Sequence, residues 1–180
     1  MMLPSGNDAA QTLALHFGLL LLKERYTLYK RDKQSLRAPL PDCEMSQIKE
    51  ILRIDLKSYM HLDDNREDIM EQGLREFYKE MNRKAQELRL CDTQYCSAHG
   101  MHHDGNYSSA SDIARLSFYC MKNPTFRQIV RTQKYSCESR VAHGVLYQWQ
   151  NTNKLLEQPG YTGLKTGITP TAGPCLAASL

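Results

Sequence analysis

The chain has 180 residues, of which 24% are charged and 41% hydrophobic, enough for one soluble domain with a real core. A formal net charge of +3 is too small to argue for a nucleic-acid partner. The apolar run Gly18 to Leu22 is too short to span a bilayer, and the first residues carry no signal-peptide pattern. In chain order, the first expected element is a helix over Asp8 to Phe17, where Ala9, Ala10, Leu13, Ala14 and Phe17 recur at helical spacing and Gly18 supplies a stop. Leu19 to Asp42 is charge-dense and holds Pro39 and Pro41, which reads as a basic solvated excursion. Met45 to Met60 patterns as an amphipathic helix with Ile48, Ile51, Leu52 and Leu56 on one face. A long helix follows over Arg66 to Leu90, with Ile69, Met70, Phe77, Met81, Ala85 and Leu88 on its apolar side.

A short strand candidate and a Gly/His/Asp/Asn loop come next, in "CDTQYCSAHGMHHDGNYSS". Ser109 or Ser111 can cap a helix running to Met121, with Asp112 in its first turn near the positive end of the dipole. Pro124 opens another short helix through Val130. After that the pattern turns to strands: "KYSCESR", "VLYQW", "LKTG" and "CLAAS", the last read as buried from its small apolar residues. Helices first and strands last predict an α+β domain with helices packed on antiparallel sheet. The six cysteines (Cys43, Cys91, Cys96, Cys120, Cys137 and Cys175) lack zinc-ribbon pairing and are too sparse for a disulfide scaffold. They read mostly as small buried hydrophobes, with an oxidised pair left open.

Two short motifs lie near opposite ends of the chain. Ser5-Gly6-Asn7 precedes the first helix, where a serine or asparagine is an ordinary N-cap. Lys165-Thr166-Gly167 presents an ammonium, a hydroxyl and an unobstructed backbone in one arc, which suits an anionic or peptide-like ligand. A Ser-x-Asn element and a Lys-Thr-Gly strand are two of the three motifs of the serine acyl-transferases that include penicillin-binding proteins and β-lactamases. "LPSGNDAA", "FYKEMNRKAQELRL", "AHGMHHDGNYSSASDIARL", "NPTFRQIV", "NTNKLL" and "GLKTGITPTAGPCLAAS" occur in the order expected of that group. Together they resemble the D-alanyl-D-alanine carboxypeptidases, the low-molecular-weight penicillin-binding proteins, over Met1 to Phe17 and Asn65 to Leu180.

The resemblance implies a β-lactamase/DD-peptidase-like α+β fold, truncated at both ends, so that residues 1–180 form part of a catalytic domain. It leaves about 19–64 as an insertion, expected to lie outside the core. It implies a serine-type carboxypeptidase acting through an acyl-enzyme on D-alanyl-D-alanine-terminated peptides or a peptidoglycan-like substrate, with β-lactam binding by the full-length form. No cofactor or metal is implied, and His99, His102, His103 and Asp104 fall in a structural loop. Members of the family are typically exported. By the same resemblance Ser5 relays protons, and Asn7 holds the nucleophile's lysine and a substrate amide. Lys165 and Thr166 face the substrate carboxylate, Gly167 admits the substrate backbone, and the Ile168 N–H is one oxyanion donor.

The third motif, Ser-x-x-Lys, belongs upstream of Ser5, where only four residues stand. Its one formal match, Ser46 to Lys49, lies on the wrong side of Ser5. The chain is therefore expected to be inactive alone. A pseudoenzyme, a binding module that has lost its nucleophile, is the competing expectation.

Overall fold

The structure is a computed structural model that describes residues 2–31 and 67–180. The described chain forms four α-helices, four strands and a 3-10 turn. In order these are α1 (Asn7–Arg31), α2 (Glu67–Glu87), α3 (Ala110–Cys120), α4 (Pro124–Arg131), β1 (Lys134–Glu138), β2 (Leu146–Gln150), the 3-10 turn Lys154–Glu157, β3 (Gly163–Thr169) and β4 (Gly173–Ser179). The chain divides into two compact units, Met1–Ala10 with Asn82–Leu180, and Gln11–Met81. The α+β class expected from the order of elements is what the chain adopts. The helix expected over Met45 to Met60 and the Ser46/Lys49 pair lie outside the described residues.

In the unit Gln11–Met81, α1 does not stop at Gly18 but continues to Arg31. The reason is packing. A Cβ on Gly18 would sit 1.9 Å from the carbonyl oxygen of Gly73 on α2, so the residue read as a helix stop is where two backbones approach closely. Leu19 and Leu22 extend the apolar stripe past that point and are 2% and 0% exposed. This corrects the solvated reading of the stretch from Leu19: its first turns are core. The charges beside them are accommodated on the flank, where Arg25 Nη1 donates to both Glu76 carboxylate oxygens at 3.1 Å.

In the other unit, Val130 of α4 and Leu164 of β3 are buried, with Ala85, Leu90 and Leu156. Helix α4 packs on β3 and α3 on β4. Gly163 makes the first contact possible, because a Cβ there would lie 2.8 Å from Val130 Cγ2. The N-caps follow the sequence: Ser109 Oγ accepts from Asp112 N–H, and Asn123 Oδ1 accepts from Thr125 and Phe126 N–H ahead of Pro124. The buried Asp112 carboxylate accepts from Asp92 N–H at 2.8 Å and Thr93 Oγ1 at 2.7 Å, which ties the chain after α2 to the start of α3. Asn82 acts as a surrogate strand, bonding both the N–H and the C=O of Tyr95.

The strands form two separate antiparallel pairs, β1–β2 and β3–β4. In the second, Lys165 stands opposite Ala177, Thr166 opposite Leu176 and Gly167 opposite Cys175. Strand β4 is not buried as its composition suggested: Leu176 is 51% exposed and no residue of β4 is fully buried. It pairs along one edge only among the described residues, so its apolar side chains have few neighbours to cover them. The cysteines also depart from expectation. Cys91 and Cys175 are exposed, Cys96, Cys120 and Cys137 half-buried, and all five are unpaired thiols. In the histidine loop, His99 Nδ1 accepts from Met101 N–H and His103 Nδ1 from Gly105 N–H, so both imidazoles brace the turn.

Candidate active site

Three chain segments of one unit converge: the turn Leu3–Gly6 ahead of α1, the link Asn151–Asn153, and β3. Ser5 occupies the left-handed region at φ 57°, a conformation that costs energy for any residue but glycine and that a tight turn must hold in place. Gly6 C=O then accepts from Ala10 N–H at 3.2 Å and starts the helix.

Strand β3 carries Lys165 to this turn. Lys165 Nζ donates to Ser5 Oγ at 2.7 Å and also to its neighbour's carbonyl, Thr166 O. The two side chains are 160 positions apart in sequence. An ammonium has three N–H donors, and these two acceptors leave one. Lys165 has no carboxylate partner among the described residues. Burial holds its pKa below the usual lysine range, because a half-buried ammonium has lost part of its hydration. A desolvated cation with an unused donor is suited to receive an anion.

Thr166 Oγ1 lies 2.5 Å from Thr152 Oγ1, and Thr152 bonds the Leu3 carbonyl through its N–H at 3.1 Å. Thr152 thus links the serine turn to the Lys-Thr-Gly strand. Of the residues expected in the site, Ser5, Lys165 and Thr166 are joined in one connected network. Gly167 and Ile168 continue β3 beside them on an open stretch, with Ile168 77% exposed. Asn7 turns its amide to the Met101 thioether at 3.2 Å. Sequence reasoning did not single out Thr152. It stands between two asparagines without periodicity, and only its long-range partners reveal it.

The family model for D-alanyl-D-alanine carboxypeptidase matches residues 68–180, more than half of the chain. A D-alanyl-D-alanine carboxypeptidase of Streptomyces sp. (strain K15) is 35% identical over 107 residues, covering 57% of this chain and 37% of that protein. D-alanyl-D-alanine carboxypeptidase DacF of Bacillus subtilis (strain 168) is 37% identical over 105 residues, covering 58% of this chain and 26% of that protein. Among solved structures, a variant of the Streptomyces K15 DD-transpeptidase superposes with a TM-score of 0.57 at 34% identity, over 61% of this chain and 44% of the other. The match therefore spans less than half the length of each of these relatives. Matching sequence over the strand, the link and the preceding helices, together with a matching fold, places this chain in the D-alanyl-D-alanine carboxypeptidase family.

Proposed function

We propose that Ser5, Lys165, Thr166, Gly167 and Ile168 form the substrate-side wall of a serine-type D-alanyl-D-alanine carboxypeptidase, with Asn7 at its rim. The observation that carries this reading is the 2.7 Å contact between Lys165 Nζ and Ser5 Oγ. The reaction is acyl transfer: a serine oxygen attacks the carbonyl of the penultimate D-alanine, the C–N bond breaks, D-alanine leaves, and water hydrolyses the ester. The substrate ends in a carboxylate, and the remaining Lys165 N–H with the Thr166 hydroxyl supplies charge-assisted donors for it. Because Ser5 Oγ accepts from Lys165, its own proton is directed elsewhere and is available to the departing amine nitrogen. The Ile168 N–H is assigned to the oxyanion of the tetrahedral intermediate. Gly167 keeps that stretch of β3 free of a side chain, so a peptide can run alongside it.

The attacking serine and its lysine are the Ser-x-x-Lys pair that the family places ahead of Ser5. The physiological substrate class is a D-alanyl-D-alanine-terminated, peptidoglycan-like peptide.

The test uses a polypeptide of these 180 residues and the same polypeptide joined to an upstream Ser-x-x-Lys segment. The first is expected to remain unlabelled by a fluorescent penicillin and to release no D-alanine from a diacyl-Lys-D-Ala-D-Ala peptide. The second is expected to do both. Labelling of the first that maps to Ser46 would make the out-of-order Ser46/Lys49 pair the nucleophile, and labelling at Ser5 would make Lys165 alone its activator. Either result overturns the assignment.

A further inference from the structure

We propose that Met101 is a positioning residue for Asn7: its thioether sulfur receives an Asn7 amide N–H and so fixes which end of that amide is offered to a ligand. The inference rests on the reading of Asn7 as the rim of the substrate wall and adds to it a residue and the loop that carries it.

A carboxamide has a donor end and an acceptor end of nearly equal size, and only its partners select which one faces where. A thioether has lone pairs and no proton, so the donor end is the one it can hold. Asn7 Nδ2 lies 3.2 Å from Met101 Sδ, and the two residues are 94 positions apart. No donor among the described residues reaches Asn7 Oδ1. Asn7 therefore keeps its carbonyl oxygen and its second Nδ2 proton for a ligand, and the group that Oδ1 can serve is a peptide N–H or an ammonium. A leucine at 101 would fill the same space but select neither end of the amide.

The loop that carries Met101 is braced from within. Gly100 takes φ 73°, which turns the chain between His99 and Met101, and Met101 N–H donates to His99 Nδ1 at 3.1 Å. Gly105 N–H donates to His103 Nδ1 at 3.0 Å, and Asn106 N–H to the His103 carbonyl at 2.8 Å. At the base of the loop Asn106 Oδ1 accepts from Cys96 N–H at 2.6 Å and from Ser97 N–H at 3.1 Å, and Ser97 is buried. Two backbone bonds between Gln94 and Tyr107 close it. The histidines and Asn106 thus fix the backbone from which the Met101 sulfur reaches Asn7. The serine turn is then held on both sides, at Leu3 by the Thr152 N–H and at Asn7 by Met101.

The variants are Met101→Leu, which keeps the bulk and removes the acceptor, Asn7→Ala, which removes the amide, and the double variant. The probe is N-acetyl-D-alanyl-D-alanine, titrated by NMR with the backbone spectrum as the check on folding. Met101→Leu is expected to weaken the dipeptide by about two- to fivefold, the worth of one modest hydrogen bond. In the Asn7→Ala background the same change is expected to cost nothing further, because Met101 acts through Asn7. Equal losses in the two backgrounds, or an undiminished affinity in Met101→Leu alone, overturn the proposal.

A ligand-free measurement separates the inference from the reading beneath it. The Asn7 side-chain amide protons are expected to show a nuclear Overhauser contact to the Met101 ε-methyl group, and the shift difference between those two protons is expected to shrink in Met101→Leu. Absence of the contact overturns the proposal whether or not the dipeptide binds. Failure of the wild-type protein to bind the dipeptide, with the contact present, counts against the substrate-wall reading and not against the orientation of the amide.

Discussion

Removing the Asp112 carboxylate should destabilise the unit that carries the site more than any single surface change. Asp112 is 4% exposed, and one of its oxygens accepts from both Asp92 N–H and Thr93 Oγ1. A hydrogen bond to a charged acceptor contributes about 1.5–3 kcal/mol, and a carboxylate in the first turn of a helix adds about 0.5 kcal/mol through the dipole. Two such bonds and the dipole amount to about 4–6 kcal/mol, from which the cost of burying the charge is subtracted. Asp112→Ala is therefore expected to cost about 3 kcal/mol. Asp112→Asn, which keeps an acceptor oxygen but not the charge, is expected to cost about half as much. Trp149, the only tryptophan, lies on β2 in the same unit and reports its unfolding by fluorescence. With a urea slope of about 1–3 kcal/mol/M, the alanine variant should shift the midpoint down by about 1–3 M. A shift below about 0.3 M, or equal losses for the two variants, would refute the reasoning.

Gly18→Ala should destabilise the unit Gln11–Met81 by about 2 kcal/mol or more, since the new methyl meets the Gly73 carbonyl, and a far-UV circular dichroism melt reads the loss. A neutral result would return Gly18 to the role of a simple helix residue. Timed iodoacetamide labelling should modify Cys91 and Cys175 before Cys120, because burial pushes the Cys120 thiol up and lowers its thiolate fraction. Mass spectrometry showing Cys120 modified first would contradict this. Affinity for a carboxylate-terminated dipeptide should be full at neutral pH and fall as pH rises through the Lys165 pKa, earlier than for an exposed lysine, because burial favours its neutral form. A titration that stays flat until the ordinary lysine range would remove Lys165 from the site.

Much of the framework was legible because it rests on local signals. Ser109 caps α3, Pro124 opens α4, and Pro170 stands in the turn between β3 and β4. What escaped the sequence depends on partners distant in the chain. Gly18 looks like a terminator until Gly73 is placed against it. Leu19 and Leu22 share their stretch with Lys23, Glu24 and Arg25, and charge density masked a stripe whose Leu15 and Leu19 meet α2 at Gly73. Cys175 and Leu176 have the composition of a buried strand, but burial is decided by neighbours, and β4 has one paired edge. The contact between Ser5 and Lys165 was foreseeable only through motif order, since no local rule links positions so far apart. Thr152 stands inside the ordered block "NTNKLL", but nothing local to it marks its contact with Thr166.

The central claim is that Ser5, Lys165 and Thr166 act as one surface for a terminal carboxylate. The most direct measurement is an NMR titration of the protein, with its lysine side-chain nitrogens labelled, by N-acetyl-D-alanyl-D-alanine and by the corresponding amide. The account predicts that the acid moves the Lys165 Nζ resonance together with the backbone signals of Ser5 and Thr166, and that the amide moves them little. Movement confined to the β1–β2 hairpin or the histidine loop, with Lys165 unchanged, would contradict it.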